Sequence, residues 1–340
     1  MRYLVTGHTG FKGSWLALWL AQRGHEVSGI ALDPLLGSLY ETAGVAEVMR
    51  DDVRLDIRNS DALRDAVTSI APDVVIHLAA QPLVRESYAR PRETFEVNAL
   101  GTLSVLEAVA ATPSVAAHLV ITTDKVYRNV DQPEGYLESD PLGGDDPYSA
   151  SKAMADILTQ SYVKSFPGAP TAIARGGNVI GGGDVSKDRL FVDLVAAFSA
   201  GTPVDLRYPT AVRPWQHVLD CLNGYLRIVE ALLAGSGRGA WNIGPGRESF
   251  VDVGSVAAHA AERWGGGASV ALSTGEHPHE ANLLALDASK AERELGWRNL
   301  LPYPTSLEWA VDWYHAVADG ADPRTTTLAQ IDAFESLMRA

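Results

Sequence analysis

The chain is poor in cysteine, in positive charge and in long apolar runs, and each shortage removes a class of answer. Its one cysteine, Cys221, cannot form an internal disulfide, so a single thiol suits a reducing cytoplasm. No stretch of about 18 residues is apolar and uncharged, which excludes a membrane-spanning helix. The start runs from Met1 to Thr6 in strand pattern and then into glycine, without a basic stretch and a long apolar core, so no signal peptide is expected. Lys and Arg number 28 against 42 Asp and Glu, a formal charge of -14. Such a surface repels phosphate backbones, so nucleic acid is not an expected partner. What is present is ample core: 340 residues, 46% of them hydrophobic, make one large or two modest domains.

Up to about residue 180, short β-branched runs alternate with longer helical patterns. Strands are predicted at 3–6, 26–31, 53–56, 74–78, 118–122 and 171–174, and helices at 13–23, 60–70, 95–111 and 149–165. Alternation of this kind gives the fold class α/β, a doubly wound parallel (Rossmann) sheet covered on both faces. Right-handed crossovers then bring the C-terminal ends of the strands to one ligand-binding rim. After Asn178 the chain becomes rich in Gly and Pro, but 218–234 is helical again. The expected division is therefore discontinuous: 1–177 plus about 213–242 for the dinucleotide, 178–212 plus about 243–340 as a smaller substrate domain. Leu328, Ile331, Phe334 and Leu337 keep helical spacing and predict a docked C-terminal helix.

The first predicted strand runs into Gly7-His8-Thr9-Gly10-Phe11-Lys12-Gly13 and then an apolar helix. Gly7 permits the tight turn, Gly10 the approach of a pyrophosphate, and Gly13 the close packing of helix on strand, so helix N–H groups face the phosphates. Thr9, Phe11 and Lys12 share that turn. Asp33, 20 residues beyond Gly13, either accepts from the ribose hydroxyls of NAD or is a solvated loop acid. No Lys or Arg lies between Asp33 and Met49 to pair with a 2'-phosphate, which favours NAD over NADP. Asp56 and Ile57 could flank the adenine or simply end a strand. Leu78, Ala79 and Ala80 close the fourth strand with side chains small enough to leave room for a cofactor.

Tyr148 and Lys152 stand four residues apart at a helix start, hence on one face. A cation there stabilises phenolate, lowering the Tyr pKa towards neutrality so that it can take a hydroxyl proton as hydride leaves. With the glycine turn, His77-Leu78-Ala79-Ala80, Asn98 and Leu286-Asp287-Ala288-Ser289-Lys290 following in order, the chain resembles the extended short-chain dehydrogenase/reductase family over nearly its whole length. Thr122-Thr123-Asp124-Lys125 is similar to the nucleotide-sugar 4,6-dehydratases, and Lys125, where most carry Glu, resembles their CDP-glucose branch. Gly7-His8-Thr9-Gly10-Phe11-Lys12-Gly13-Ser14-Trp15, Ala80-Gln81-Pro82-Leu83-Val84-Arg85, Arg213-Pro214-Trp215-Gln216-His217 and His277-Pro278-His279-Glu280 are similar to segments of that branch. Arg128, Gly176 and Val185 depart from it, and Arg128 and Val185 are expected near the substrate pocket.

The resemblance implies a hydro-lyase with a tightly bound NAD that is regenerated each turnover, and Asn98 among its cofactor residues. Thr123 would bridge to the C4 oxygen with Tyr148 and Lys152, and Asp124 would protonate the departing C6 hydroxyl. Lys125 would either take the C5 proton or stay cationic and stabilise the enolate. For the nucleotide sugar it implies Gln81, Arg85, Asn178, Trp215, His217 and His279, with Arg189, Arg207 and Arg213 as cations for the diphosphate. A homodimer through helices 95–111 and 149–165 also follows from it. His277 and His279 have no cluster of Cys or carboxylates at ligand spacing, so no metal is expected. The competing readings are a 4-epimerase, which has no use for an acid–base pair after Thr123, and a non-catalytic nucleotide sensor, which has no use for an activated phenol.

Overall fold

A computed structural model of the chain describes residues 1–206, 208–272 and 284–340. Its strands are β1 (Arg2–Thr6), β2 (Glu26–Ala31), β3 (Met49–Arg54), β4 (Val74–His77), β5 (Ala117–Thr123), β6 (Thr171–Gly176), β7 (Asn178–Ile180), β8 (Val204–Leu206), β9 (Val212–His217), β10 (Gly239–Ile243), β11 (Phe250–Asp252) and β12 (Val270–Leu272). The main sheet has the order β10-β6-β5-β4-β1-β2-β3, and every pairing in it is parallel. It thus holds seven strands where six are predicted. The addition, β10, lies beyond the residue where the strand–helix alternation stops being readable, and it pairs with β6 at the sheet edge.

The other edge also differs from expectation. β3 begins at Met49, not 53, because Arg50, Asp51 and Asp52 read as loop although they alternate half-buried and exposed along an edge strand with one wet face. The helices that matter below are α1 (Phe11–Gln22), α2 (Ser60–Ile70), α3 (Gly101–Ala110), α4 (Pro147–Ser165), α5 (Val218–Leu233), α6 (Thr305–Ala318) and α7 (Pro323–Arg339). The helix predicted over 95–111 forms, running on from Pro91 without a break, but its hydrogen bonding changes within it. A π-helical turn, Glu96–Leu100, precedes α3 and carries Asn98 at its centre, a device that often marks function.

α1 is apolar on all sides, with Trp15, Leu16, Leu18, Trp19 and Leu20 buried, because the sheet covers one face and the C-terminal helix another. Phe334 of α7 meets Trp19 edge-on at 5.7 Å, and Glu335 accepts from the Trp19 indole and pairs with Arg23. Ile331 and Phe334 dock as the sequence predicts, while Leu337 remains exposed. Across the sheet, α4 is fixed by a buried ion pair. Asp156 accepts from Nε and Nη2 of Arg175 on β6, at 2.8 and 2.9 Å, and this pair anchors the middle of α4 to the sheet. A second sheet, β11-β9-β7, stands beyond the rim, with β12 and β8 paired separately.

Candidate active site

The turn after β1 is a cradle that side chains would fill. Gly7 has φ +77°, and a Cβ there would lie 2.7 Å from the backbone N of Ala79; one on Gly13 would lie 2.2 Å from Gly7 O. The turn is thereby pressed against the end of β4. Thr6 Oγ1 lies 2.7 Å from His77 Nδ1 and accepts from Ala79 N, and His77 Nε2 reaches Thr102 at 3.0 Å. α1 opens at Gly10 with no side-chain cap and no acidic residue in its first turn. Its unpaired N–H groups and dipole suit a pyrophosphate. Thr9, Phe11, Asp33, Ser38, Asp184 and Val185 line the adjoining cleft. These residues fit a dinucleotide such as NAD. Val185, expected near the substrate pocket, is thus placed beside the glycine turn, because the loop after β7 folds back over it; Leu39 N donates to Gly183 O.

Around the far end of that cleft, Asp33 is exposed and sits 3.5 Å from Nε of Arg54. The local sequence contains no such cation; it arrives across the sheet from β3. Asp56 is engaged by Arg58, which holds its carboxyl below the usual range, and Ile57 is buried against Gly101. Asn98 is not at the cleft surface. Its amide accepts from Gln81 N and donates to Gln81 O and Ser151 Oγ, so it is a strut between the β4 loop and α4.

The reacting side chains converge from β5 and α4. Tyr148 is hydrogen-bonded to Thr123, whose hydroxyl donates to Asp124 Oδ1 at 2.7 Å. Asp124 is buried, its other oxygen faces Gly177, and Lys125 Nζ lies 3.5 Å from Oδ1. Ser87, which no sequence signal marks, accepts from Tyr148 N and pins the start of α4. The Lys152 ammonium donates to Ile121 O at 2.8 Å. Burial, with Lys12 nearby, pushes it down to about 7, against the pull of Asp156. In the cofactor-free protein burial pushes Tyr148 up to about 12, outweighing Arg189 and the Thr123 hydrogen bond, so the groups of the chain alone do not bring about the expected fall. Lys12 turns away from the solvent to Tyr225 of α5, 3.3 Å from its hydroxyl. That hydroxyl fills the space beside Gly176, where a Cβ would lie 3.1 Å from it.

The residues expected to hold substrate divide into three groups. Asn178 pairs with Trp215 where β7 meets β9, at the rim, and Arg213 lies on the same strand, bonded to Val212 O. Arg189 is exposed at the start of helix Leu190–Ser199, close enough to act on the Tyr148 phenol. Arg85 is exposed and paired with Asp188, and Gln81 bonds Thr94 and Leu83. Trp215 and His217 are corrections. The Trp215 indole is buried and donates to Val251 O. His217 is wholly buried between Trp15 and Trp309, pushed down to about 3 by that burial, and its Nδ1 caps α5. It touches no rim. Arg207 and His279 lie outside the described residues. Arg128 is exposed, its backbone bonded to Pro141.

Residues 3–244 match the model of the NAD dependent epimerase/dehydratase family. The chain is 40% identical to CDP-glucose 4,6-dehydratase of Salmonella typhimurium over 98% of its own length and 96% of the relative's. It is 29% identical to UDP-glucose 4-epimerase of Erwinia amylovora, covering 88% and 93%. Among solved structures, dTDP-glucose 4,6-dehydratase DesIV of Streptomyces venezuelae, with NAD bound, superposes with a TM-score of 0.81 at 27% identity, over 95% of this chain and all of that one.

Proposed function

The chain belongs to the NAD dependent epimerase/dehydratase family, and from that premise we propose that it is a CDP-glucose 4,6-dehydratase, releasing water and a 4-keto-6-deoxy sugar nucleotide. When bound, NAD supplies the hydride acceptor for C4 and the hydride donor for C6, and so is regenerated at each turnover. Thr123 and Tyr148 hold the C4 hydroxyl, and Tyr148 takes its proton with Lys152 supporting the phenolate. The resulting ketone acidifies the C5 proton. Asp124 protonates the C6 hydroxyl as it leaves, while Lys125 serves the C5 proton or the enolate charge left by its loss. Residues 1–177 with about 213–242 hold the cofactor in this reading, and 178–212 with about 243–340 the sugar nucleotide, whose diphosphate meets Asn178, Arg189 and Arg213.

The observation that carries the reading is the buried Asp124 carboxyl, 2.7 Å from the Thr123 hydroxyl that also touches the phenol. Epimerisation returns hydride to C4 and needs no acid there. CDP-, dTDP-, GDP- and UDP-glucose assayed side by side test it: CDP-glucose should give the product whose ketone absorbs in alkali. Conversion only to CDP-galactose would establish an epimerase instead. Leu100, Met154, Ile157 and Phe166 stay exposed along the π-helical turn and α4, which supports a homodimer through this face; light scattering at twice the chain mass checks it. Cys221, fully buried and unpaired, is compatible with the cytoplasm.

A further inference from the structure

The turn that carries the acid is only weakly held by its own hydrogen bonds. Asp124–Val126 is a single 3₁₀ turn, closed by Lys125 N on Thr123 Oγ1 and by Tyr127 N on Asp124 O, both at 3.4 Å. Bonds of that length are longer than usual and contribute little. The residue that ends the turn is held far more firmly. Tyr127 is buried, its ring stacked on Tyr136 at 5.1 Å and covered by the Arg175 guanidinium at 4.9 Å. Its hydroxyl accepts from Arg175 Nη1 and donates to Asn242 Oδ1 of β10, each at 2.7 Å. Burial pushes that phenol up to about 12, so it stays a neutral donor. The same guanidinium donates from Nε and Nη2 to Asp156 of α4. Tyr148, Lys152 and Asp156 follow one another at four-residue spacing and so share a face of that helix. One fixed, planar cation therefore ties the turn bearing Asp124 and Lys125 to the helix bearing the phenol.

We propose that Tyr127 is a positioning residue for the elimination step: through Arg175 it keeps Asp124 and Lys125 in register with Tyr148, so that the C6 hydroxyl meets its acid while the phenol holds C4. The inference rests on the roles given above to Asp124 and Lys125 and adds a residue that touches neither substrate nor cofactor. Oxidation at C4 uses Thr123, the last residue of β5, with Tyr148 and Lys152 of α4, all placed by regular elements. Elimination alone uses the turn beyond the strand, whose far end is Tyr127. Misplacing a reacting group by about 1 Å costs up to about 10²-fold in rate. Asn242 steadies the stack from the C-terminal part of the chain as well, since its Nδ2 donates to Tyr136 O at 2.7 Å and to Asp287 O at 3.1 Å.

Rapid mixing of the NAD-loaded enzyme with CDP-glucose separates the two steps: absorption of reduced cofactor follows C4 oxidation, and chromatography of quenched samples follows the 4-keto-6-deoxy product. Tyr127→Phe keeps the stacked ring and loses both hydroxyl bonds. It should oxidise C4 within about twofold of the wild-type rate yet form product about 10–100-fold more slowly, so that reduced cofactor accumulates. Tyr136→Leu removes the stacked partner and leaves the Tyr127 hydroxyl its bonds; it should slow product formation by about 3–10-fold with oxidation again spared, and it decides the matter if Tyr127→Phe does not fold. Ile331→Ala, a destabilising change in the buried face of α7, should leave the ratio of the two rates as it is. Product formation undiminished in both aromatic variants overturns the proposal, as does an equal slowing of oxidation and product formation. A split of the same size in Ile331→Ala also overturns it, because lost stability would then account for the effect. A wild type that forms only CDP-galactose removes the dehydratase reading itself, a result distinct from a wild type that makes the product and a Tyr127→Phe that matches it.

Discussion

Lys152 gives the sharpest quantitative test of the site, because its ammonium is buried with one backbone carbonyl as partner. In the cofactor-free protein it loses its proton near 7, whereas an unfolded chain holds that proton up to about 10.5. Between those values the unfolded state binds a proton that the folded state lacks, so this group makes stability rise with pH. Below 7 both states are protonated and the full cost of burying the cation is felt. Lys152→Met removes the titration while keeping most of the packing. The variant should therefore be more stable than wild type at about pH 6.5, and the gap should shrink by about 2–3 kcal/mol by about pH 9. Urea unfolding of both proteins, followed by tryptophan fluorescence at one protein concentration, measures the gap at each pH. Other titrating groups cancel in the difference of differences. A gap that stays constant across that range would refute the reasoning, and would mean that solvent or another partner reaches the ammonium.

Asp156→Ala should destabilise the fold by about 3–5 kcal/mol, seen as a lowered thermal midpoint, because it leaves the Arg175 guanidinium charged, buried and without its carboxylate. Gly7→Ala should weaken NAD binding measured by calorimetry, since φ +77° is strained for a side chain and the added Cβ would meet Ala79 N at 2.7 Å; undiminished affinity would show that the turn relaxes. Asp124→Asn should still oxidise C4, so reduced cofactor accumulates in its absorption band while water loss slows by about 10²–10⁴-fold. Undiminished elimination would remove Asp124 from the acid's role.

Sequence reads contacts along an element better than contacts across the sheet, and the successes and failures divide on that line. The glycine turn, the Tyr148–Lys152 face and the strand–helix alternation are local, with spacings set by the helical and strand repeats, and each forms where its pattern predicts. The charged residues that open β3 suit an edge strand as well as a loop, so its start at Met49 is not legible; Arg54 lies inside the predicted strand, but its approach to Asp33 comes only through the β2–β3 pairing. His217 shows the opposite failure: a residue taken from a family-like segment proves to be a helix cap in the core, because a motif preserves scaffold and site alike. The phenol's pKa depends on a third kind of contact. A cation four residues away lowers it only if that charge outweighs burial, and burial depends on everything packed around the site, not on spacing. The net charge of -14 fits the same division. A pyrophosphate met by backbone N–H groups at a helix start needs no lysine or arginine that composition could count. The cations that matter are few, and their fixed positions, Arg175 clamped by Asp156 and Lys12 turned to Tyr225, come from tertiary packing.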